Sequence, residues 1–143
     1  MSSTNKVLLT LVALGCGLVP IFVDVSDTHL FNENWSSHAR THLAWLLSTN
    51  FFVCLIVLYL LWIKNAILVP VALVSAILGG YFVSVITGGL YGGTISEPGG
   101  VAEQFLGIEA GIFFFSSLLL VLIVVLFNVS RSNTPQVSSG APE

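Results

Sequence analysis

Charge is what this chain has least of. Four Lys/Arg and seven Asp/Glu among 143 residues make 8%, where soluble domains carry about 25%. That leaves too little polar surface to cover a water-exposed globule, so a soluble domain is excluded. The scarcity of positive charge also excludes a nucleic-acid binder, which needs clustered Lys and Arg against phosphates. Cysteine is scarcer still. Cys16 and Cys54 lie in apolar runs without Cys-x-x-Cys spacing, which excludes a zinc ribbon or a thioredoxin-like centre. Both are expected to pack as small hydrophobes. The alternating strands of a membrane barrel are absent as well.

What remains is apolar: 55% of residues are hydrophobic, with a mean hydropathy of +0.97. Apolar runs cover Val7–Val23, Leu43–Ile63, Ala66–Tyr91 and Phe105–Phe127. Each approaches or exceeds the roughly 20 residues a helix needs to cross a bilayer. Lipid offers the backbone no hydrogen bonds, so continuous helices follow. The expected fold is an all-α integral membrane four-helix bundle over residues 1–128, with helices at about 7–25, 37–63, 66–91 and 104–128. A polar loop joins the first two helices and a Gly-rich loop the last two. Residues 129–143, rich in Ser, Pro, Gly and Asn, read as a disordered tail.

Lys6, Lys64 and Arg131 fall where a four-span chain shares one side, and the positive-inside rule makes that side, with both termini, cytoplasmic. The first run is expected to stay in place as a span. One positive charge precedes it, no Ala-x-Ala site closes it, and the apolar stretch continues past Cys16. Gly79-Gly80 suggests a helix contact or kink. The pairs Gly88-Gly89, Gly92-Gly93 and Gly99-Gly100, with Pro98, suggest a tightly folded or re-entrant loop.

The outer loop, residues 24–42, concentrates chemistry: all three histidines, both aspartates and one of two arginines. Ser36 or Ser37 can cap the second helix. His38 and His42 then share one face with Trp45 and Thr49, within an arc of about 60°. That stripe enters the membrane and should face the bundle interior or a wet pocket. Glu109, about one turn into the last run, is the facing candidate, expected to pair with His42 or Arg40 at matched depth. Asn34-Trp35-Ser36 is also a formal glycosylation sequon. Trp35, Trp62 and Tyr91 sit where interfacial aromatic belts form.

Three kinds of chemistry fit these residues. His42 and Glu109 could move protons on a hydrophobic substrate, assisted by His38 and His29. Asp24, Asp27, Asn32, Trp35, Arg40 and Trp45 would then shape the loop and hold the substrate. A metal could instead use the helical spacing of His38 and His42, completed by Asp24, Asp27, His29 or Glu109. Or the whole set could be a hydrogen-bond network tying the loop to the helix ends. No motif names a cofactor.

The loop as written, Asp24…Thr28-His29-Leu30-Phe31-Asn32-x-x-Trp35-x-x-His38-Ala39-Arg40-x-His42, resembles the signature of a family of small four-helix membrane proteins of unknown function. That signature reads Asp…Thr-His-x-Phe-Asn-Pro-x-Trp-Pro-Pro-His-Ala-Arg-x-His. This chain departs from it at Glu33, Ser36 and Ser37, where the family has prolines. The resemblance implies a shared polar site and supplies no reaction. A looser, architectural likeness is to emopamil-binding-type sterol isomerases and small polytopic cyclases, which use His and acidic residues in a helical bundle on lipid substrates. The expected function is accordingly a membrane-embedded enzyme of the proton-transfer type, or a binding site for a hydrophobic small molecule. A non-catalytic subunit of a homo-oligomer or larger membrane complex, and a metal-binding membrane protein, stay open beside it.

Overall fold

The computed structural model describes residues 2–95 and 104–132. Its helices are α1 (Ser3–Gly17), α2 (Val19–Asp24), α3 (Ser37–Trp62), α4 (Leu68–Thr87) and α5 (Ala110–Ser132). A one-turn 3-10 helix, Gly88–Leu90, follows α4, and a two-stranded hairpin, β1 (Gln104–Phe105) with β2 (Ile108–Glu109), precedes α5. Four segments, Ser3–Asp24, Ser37–Trp62, Leu68–Leu90 and Ala110–Arg131, are long and apolar enough to cross a membrane. The protein is an all-α, multi-pass integral membrane bundle.

Several boundaries differ from the sequence expectation, for local reasons. The first span starts at Ser3 because the Ser2 hydroxyl accepts the Asn5 N–H at 3.2 Å, a side-chain cap. It breaks at Leu18 because Pro20 has no N–H and its ring collides with a continuing Cys16 carbonyl. The last span starts at Ala110, not at 104. Leu106 and Gly107 take φ of 54° and 78°, the left-handed pair of a tight hairpin turn, which folds Gln104–Glu109 back on itself. At its other end α5 runs to Ser132, four residues into the expected tail, with Arg131 lying 4.1 Å over the Phe127 ring in the last turn. Residues 96–103 and 133–143, which carry Glu97, Pro98, Gly99-Gly100, Glu103 and most of the tail, lie outside the described residues.

α1 is the hub. It packs on α3, α4 and α5, while α4 also touches α3 and α5. α3 and α5 therefore occupy the far diagonal of the bundle. The core is built from Leu9, Val12, Ala13 and Cys16 of α1, whose spacing puts them on one helical face, against Cys54 and Val57 of α3, Val74 of α4 and Leu122 of α5. Lipid tails are as apolar as leucine, so close fit rather than water exclusion must hold these helices together. The small residues of α1 supply that fit. A Cβ on Gly17 would overlap the Cβ of Cys54, and one on Gly15 would lie 2.7 Å from Leu118 Cδ1. Gly79 and Gly80, expected at a helix contact or kink, have open space where a Cβ would go, so the contact is corrected. Both cysteines are free and buried, as their surroundings required.

Polar contacts close the end of the bundle where the chain begins. Lys6 Nζ donates to Asn65 Oδ1, joining α1 to the α3–α4 turn, and lies over the Trp62 ring. Trp62 Nε1 donates to Thr10 Oγ1 at 3.0 Å. Asn5, the buried polar side chain of the core, accepts from Asn128 Nδ2 at 3.1 Å and so ties α1 to α5. Asn128→Ala leaves the Asn5 carbonyl oxygen buried without that donor, and is expected to cost about 1–2 kcal/mol. Thermal unfolding in detergent checks this, with Asn5→Leu/Asn128→Leu expected to recover most of the loss.

Candidate functional site

The candidate residues lie at the opposite end, in three separate groups. The first is a self-bonded knot in the α2–α3 loop. The Asp24 carbonyl accepts the Leu30 N–H at 2.9 Å, and the Ser26 carbonyl accepts the Phe31 N–H at 3.0 Å. His29 stands between them: its Nδ1 is 2.8 Å from Thr28 Oγ1, its Nε2 is 3.9 Å from Asp24 Oδ1, and its ring meets Trp35 edge-on. Asn32 fastens the next turn, donating from Nδ2 to the Thr28 carbonyl and accepting the Asn34 N–H, both at 2.9 Å. Asp27 is exposed. The loop thus uses its polar side chains largely on its own backbone.

The second group is the stripe on α3. Ser36 caps the helix, accepting the Ala39 N–H at 3.2 Å. One turn on, His38 and His42 meet with their Nε2 atoms 3.0 Å apart and their rings nearly perpendicular. Trp45 tilts against His42 at a centroid distance of 6.0 Å. Sequence spacing put these residues on one face, and so does the structure. Of the two expected directions, the bundle interior is corrected. His38, His42 and Thr49 are exposed and Trp45 is 66% exposed, so the stripe points away from the bundle. The opposite face, with Leu47, Cys54, Val57 and Leu61 buried, is the one α3 turns inward. Arg40, two residues from His38, lies round the helix from the stripe.

The third group surrounds Glu109. Its carboxylate accepts the Gly111 N–H at 3.0 Å through Oε1 and the Ile112 N–H at 2.8 Å through Oε2. It is therefore the N-terminal cap of α5, not a charge one turn inside it. Tyr81, which sequence reasoning passed over, closes this group. Its ring stacks on Phe115 at 4.0 Å, and its hydroxyl and the Glu109 carboxylate both lie within 3.4 Å of where a Gly111 Cβ would stand. A tyrosine among the apolar and small hydroxyl residues of α4 was the available signal. The expected pairing of Glu109 with His42 or Arg40 does not form among the described contacts. The bundle's diagonal separates α5 from α3, and two helix-end N–H groups already hold the carboxylate.

Two depressions lie near these groups. One, ≈ 350 Å³, is lined by His42, Trp45, Leu46 and Thr49 and opens outward along the α3 stripe. The other, ≈ 250 Å³, is an apolar groove between α2 and α3 floored by Leu47 and Phe51. Neither brings Glu109, Asp24 or His29 to His42. Among the described residues no three His, Cys, Asp or Glu side chains come together as a metal cluster. No protein-family model matches the chain, and no curated protein and no solved structure matches it either.

Proposed function

We propose that this protein is a non-catalytic subunit of a membrane assembly and that the outward face of α3 is its docking surface. One observation carries this reading: the stripe His38, His42, Trp45 and Thr49 lies on a membrane-crossing helix yet turns away from its own bundle. Polar side chains on membrane helices face a bundle interior, a wet cavity or a neighbouring helix. The bundle interior here is filled by α1, and the depression along the stripe is open outward and not an enclosed cavity, which favours a neighbouring helix. The enzyme reading is less well supported, because proton transfer needs acid and base within about 3 Å of one substrate, and the Asp24–His29 pair, the His38–His42 pair and Glu109 are three groups with no shared cavity. Both termini, with Lys6, Lys64 and Arg131, belong on the cytoplasmic side under this proposal, and the α2–α3 loop on the other. The loop's likeness to small four-helix membrane proteins of unknown function forms part of the same reading.

Gentle extraction from the membrane tests it. The wild-type protein is expected to migrate as an assembly, and Trp45→Ala/Thr49→Leu as the 15.3 kDa chain alone, with accumulation and helicity unchanged. Exposed positions on α4, such as Val83 and Ile86, should tolerate the same treatment. A wild type that is monomeric in several mild detergents and in nanodiscs counts against docking.

A further inference from the structure

The two imidazoles at the head of the stripe are within hydrogen-bond distance of each other, and the same approach can be used by a metal ion. Their Nε2 atoms converge on one another at 3.0 Å from residues four apart on an exposed helix face. With metal–nitrogen bonds of about 2.05 Å, that separation corresponds to an N–metal–N angle of about 94°. Such an angle suits a shared tetragonal or distorted tetrahedral ion. Imidazole pairs of this kind select borderline divalent metals such as Zn²⁺, Cu²⁺ or Ni²⁺. Two ligands are only half of a four-coordinate set, and no third His, Cys, Asp or Glu joins them among the described residues.

The remaining ligands can be supplied by symmetry. Below the histidines the exposed face continues at alternating intervals of four and three residues: His38, His42, Trp45, Thr49, Phe52 and Ile56, all exposed. This is the spacing of a helix–helix seam with a left-handed crossing. It is a second seam, on the opposite side of α3 from Leu47, Cys54, Val57 and Leu61, which the bundle already uses. Two copies of α3 packed along the outer seam bring two His38–His42 pairs to the same level. Four imidazoles then surround one point, near the helix N-terminus where ions can enter from water.

We infer that His38 and His42 form half of a transition-metal site completed by the same two residues of a second copy, so that one Zn²⁺-class ion clamps two chains through α3. This inference rests on the docking reading above and names the partner. Thr49, halfway down the seam, would meet its own counterpart, where hydroxyls can exchange a hydrogen bond.

The test uses the full chain in nanodiscs, stripped with chelator and titrated with Zn²⁺. Expected are a stoichiometry of about one Zn²⁺ per two chains, conversion of single-copy to two-copy discs, and a Thr49→Cys disulfide that forms only with Zn²⁺ present. His42→Ala and His38→Ala should each abolish the half-equivalent of metal while helicity and thermal unfolding stay unchanged, since both side chains are exposed. One Zn²⁺ per chain on a monomer overturns the shared site. Two-copy discs that form without metal and take up none overturn the metal clamp but leave docking through α3 standing. Single-copy discs that bind no Zn²⁺ overturn both.

Discussion

Gly17→Leu is expected to abolish the folded bundle, and Gly17→Ala to destabilise it by about 1–3 kcal/mol, the usual cost of overpacking a filled core. The reason is the central position of α1. Gly17 sits at the end of α1 where the backbone comes closest to α3: an added Cβ overlaps Cys54 Cβ and lies 3.0 Å from the Asn50 carbonyl oxygen. Neither neighbour is the far end of a flexible side chain. One is fixed to a helix at its first carbon and the other is backbone, so the helices themselves must separate. Lost contact along a helix pair is not offset by hydrophobic burial in lipid, and α1 contacts every other spanning helix. The measurements are thermal unfolding in detergent and the fraction of chain that is monodisperse after extraction. Gly79→Leu and Gly80→Leu are the controls: both positions are open, and their unfolding curves should overlay the wild type. Cys54→Gly in the Gly17→Ala background removes the struck atom and should return part of the loss. Equal damage from Gly17 and Gly79 substitutions would show that the close approach at Gly17 is not what governs this bundle.

The contrast between those glycines shows where sequence reasoning runs out. Four spans were legible because 20-residue apolar runs have one outcome in lipid. The cap at Ser36 and the shared face of His38, His42 and Trp45 were legible because they depend on residues within a few positions of each other. Which way a membrane helix turns was not. In water the polar face points out, but a helix that is apolar all round carries no such marker. Gly79-Gly80 was the more conspicuous pair, yet the single Gly17 makes the contact. The stripe on α3 was expected to face the bundle interior or a wet pocket, by the rule that polar groups avoid lipid, and it lines an outward-opening depression. That rule holds for the complete assembly, and a single chain leaves the choice of neighbour open. The break at Leu18 has a sequence signal in Pro20, but the expected first helix ran through it. The hairpin at Leu106-Gly107 was hidden because leucine seldom adopts positive φ.

Glu109→Ala is expected to lower stability by about 2–3 kcal/mol, through the start of α5 and not through any chemistry at His42. Every helix begins with N–H groups that have no partner inside the helix, and close to lipid water cannot reliably take them. Glu109 accepts two of these, from Gly111 and Ile112, and its charge faces the positive end of the helix dipole. Removing the carboxylate strands both donors beside the Tyr81 and Phe115 rings. Glu109→Gln keeps one carbonyl acceptor and loses the charge, so about half of the effect should remain. Glu109→Asp, a better capping residue by preference, should stay within about 1 kcal/mol of the wild type. Hydrogen exchange makes the assignment local: the amides of Gly111 and Ile112 should exchange faster in Glu109→Ala, with those of α3 near His42 unaffected. An acid–base role gives a different order, since a catalytic carboxylate tolerates neither Gln nor a shortened side chain while the fold stays intact. If Glu109→Ala unfolds at the wild-type temperature with protected Gly111 and Ile112 amides, the cap is supplied elsewhere and the carboxylate is free for another task.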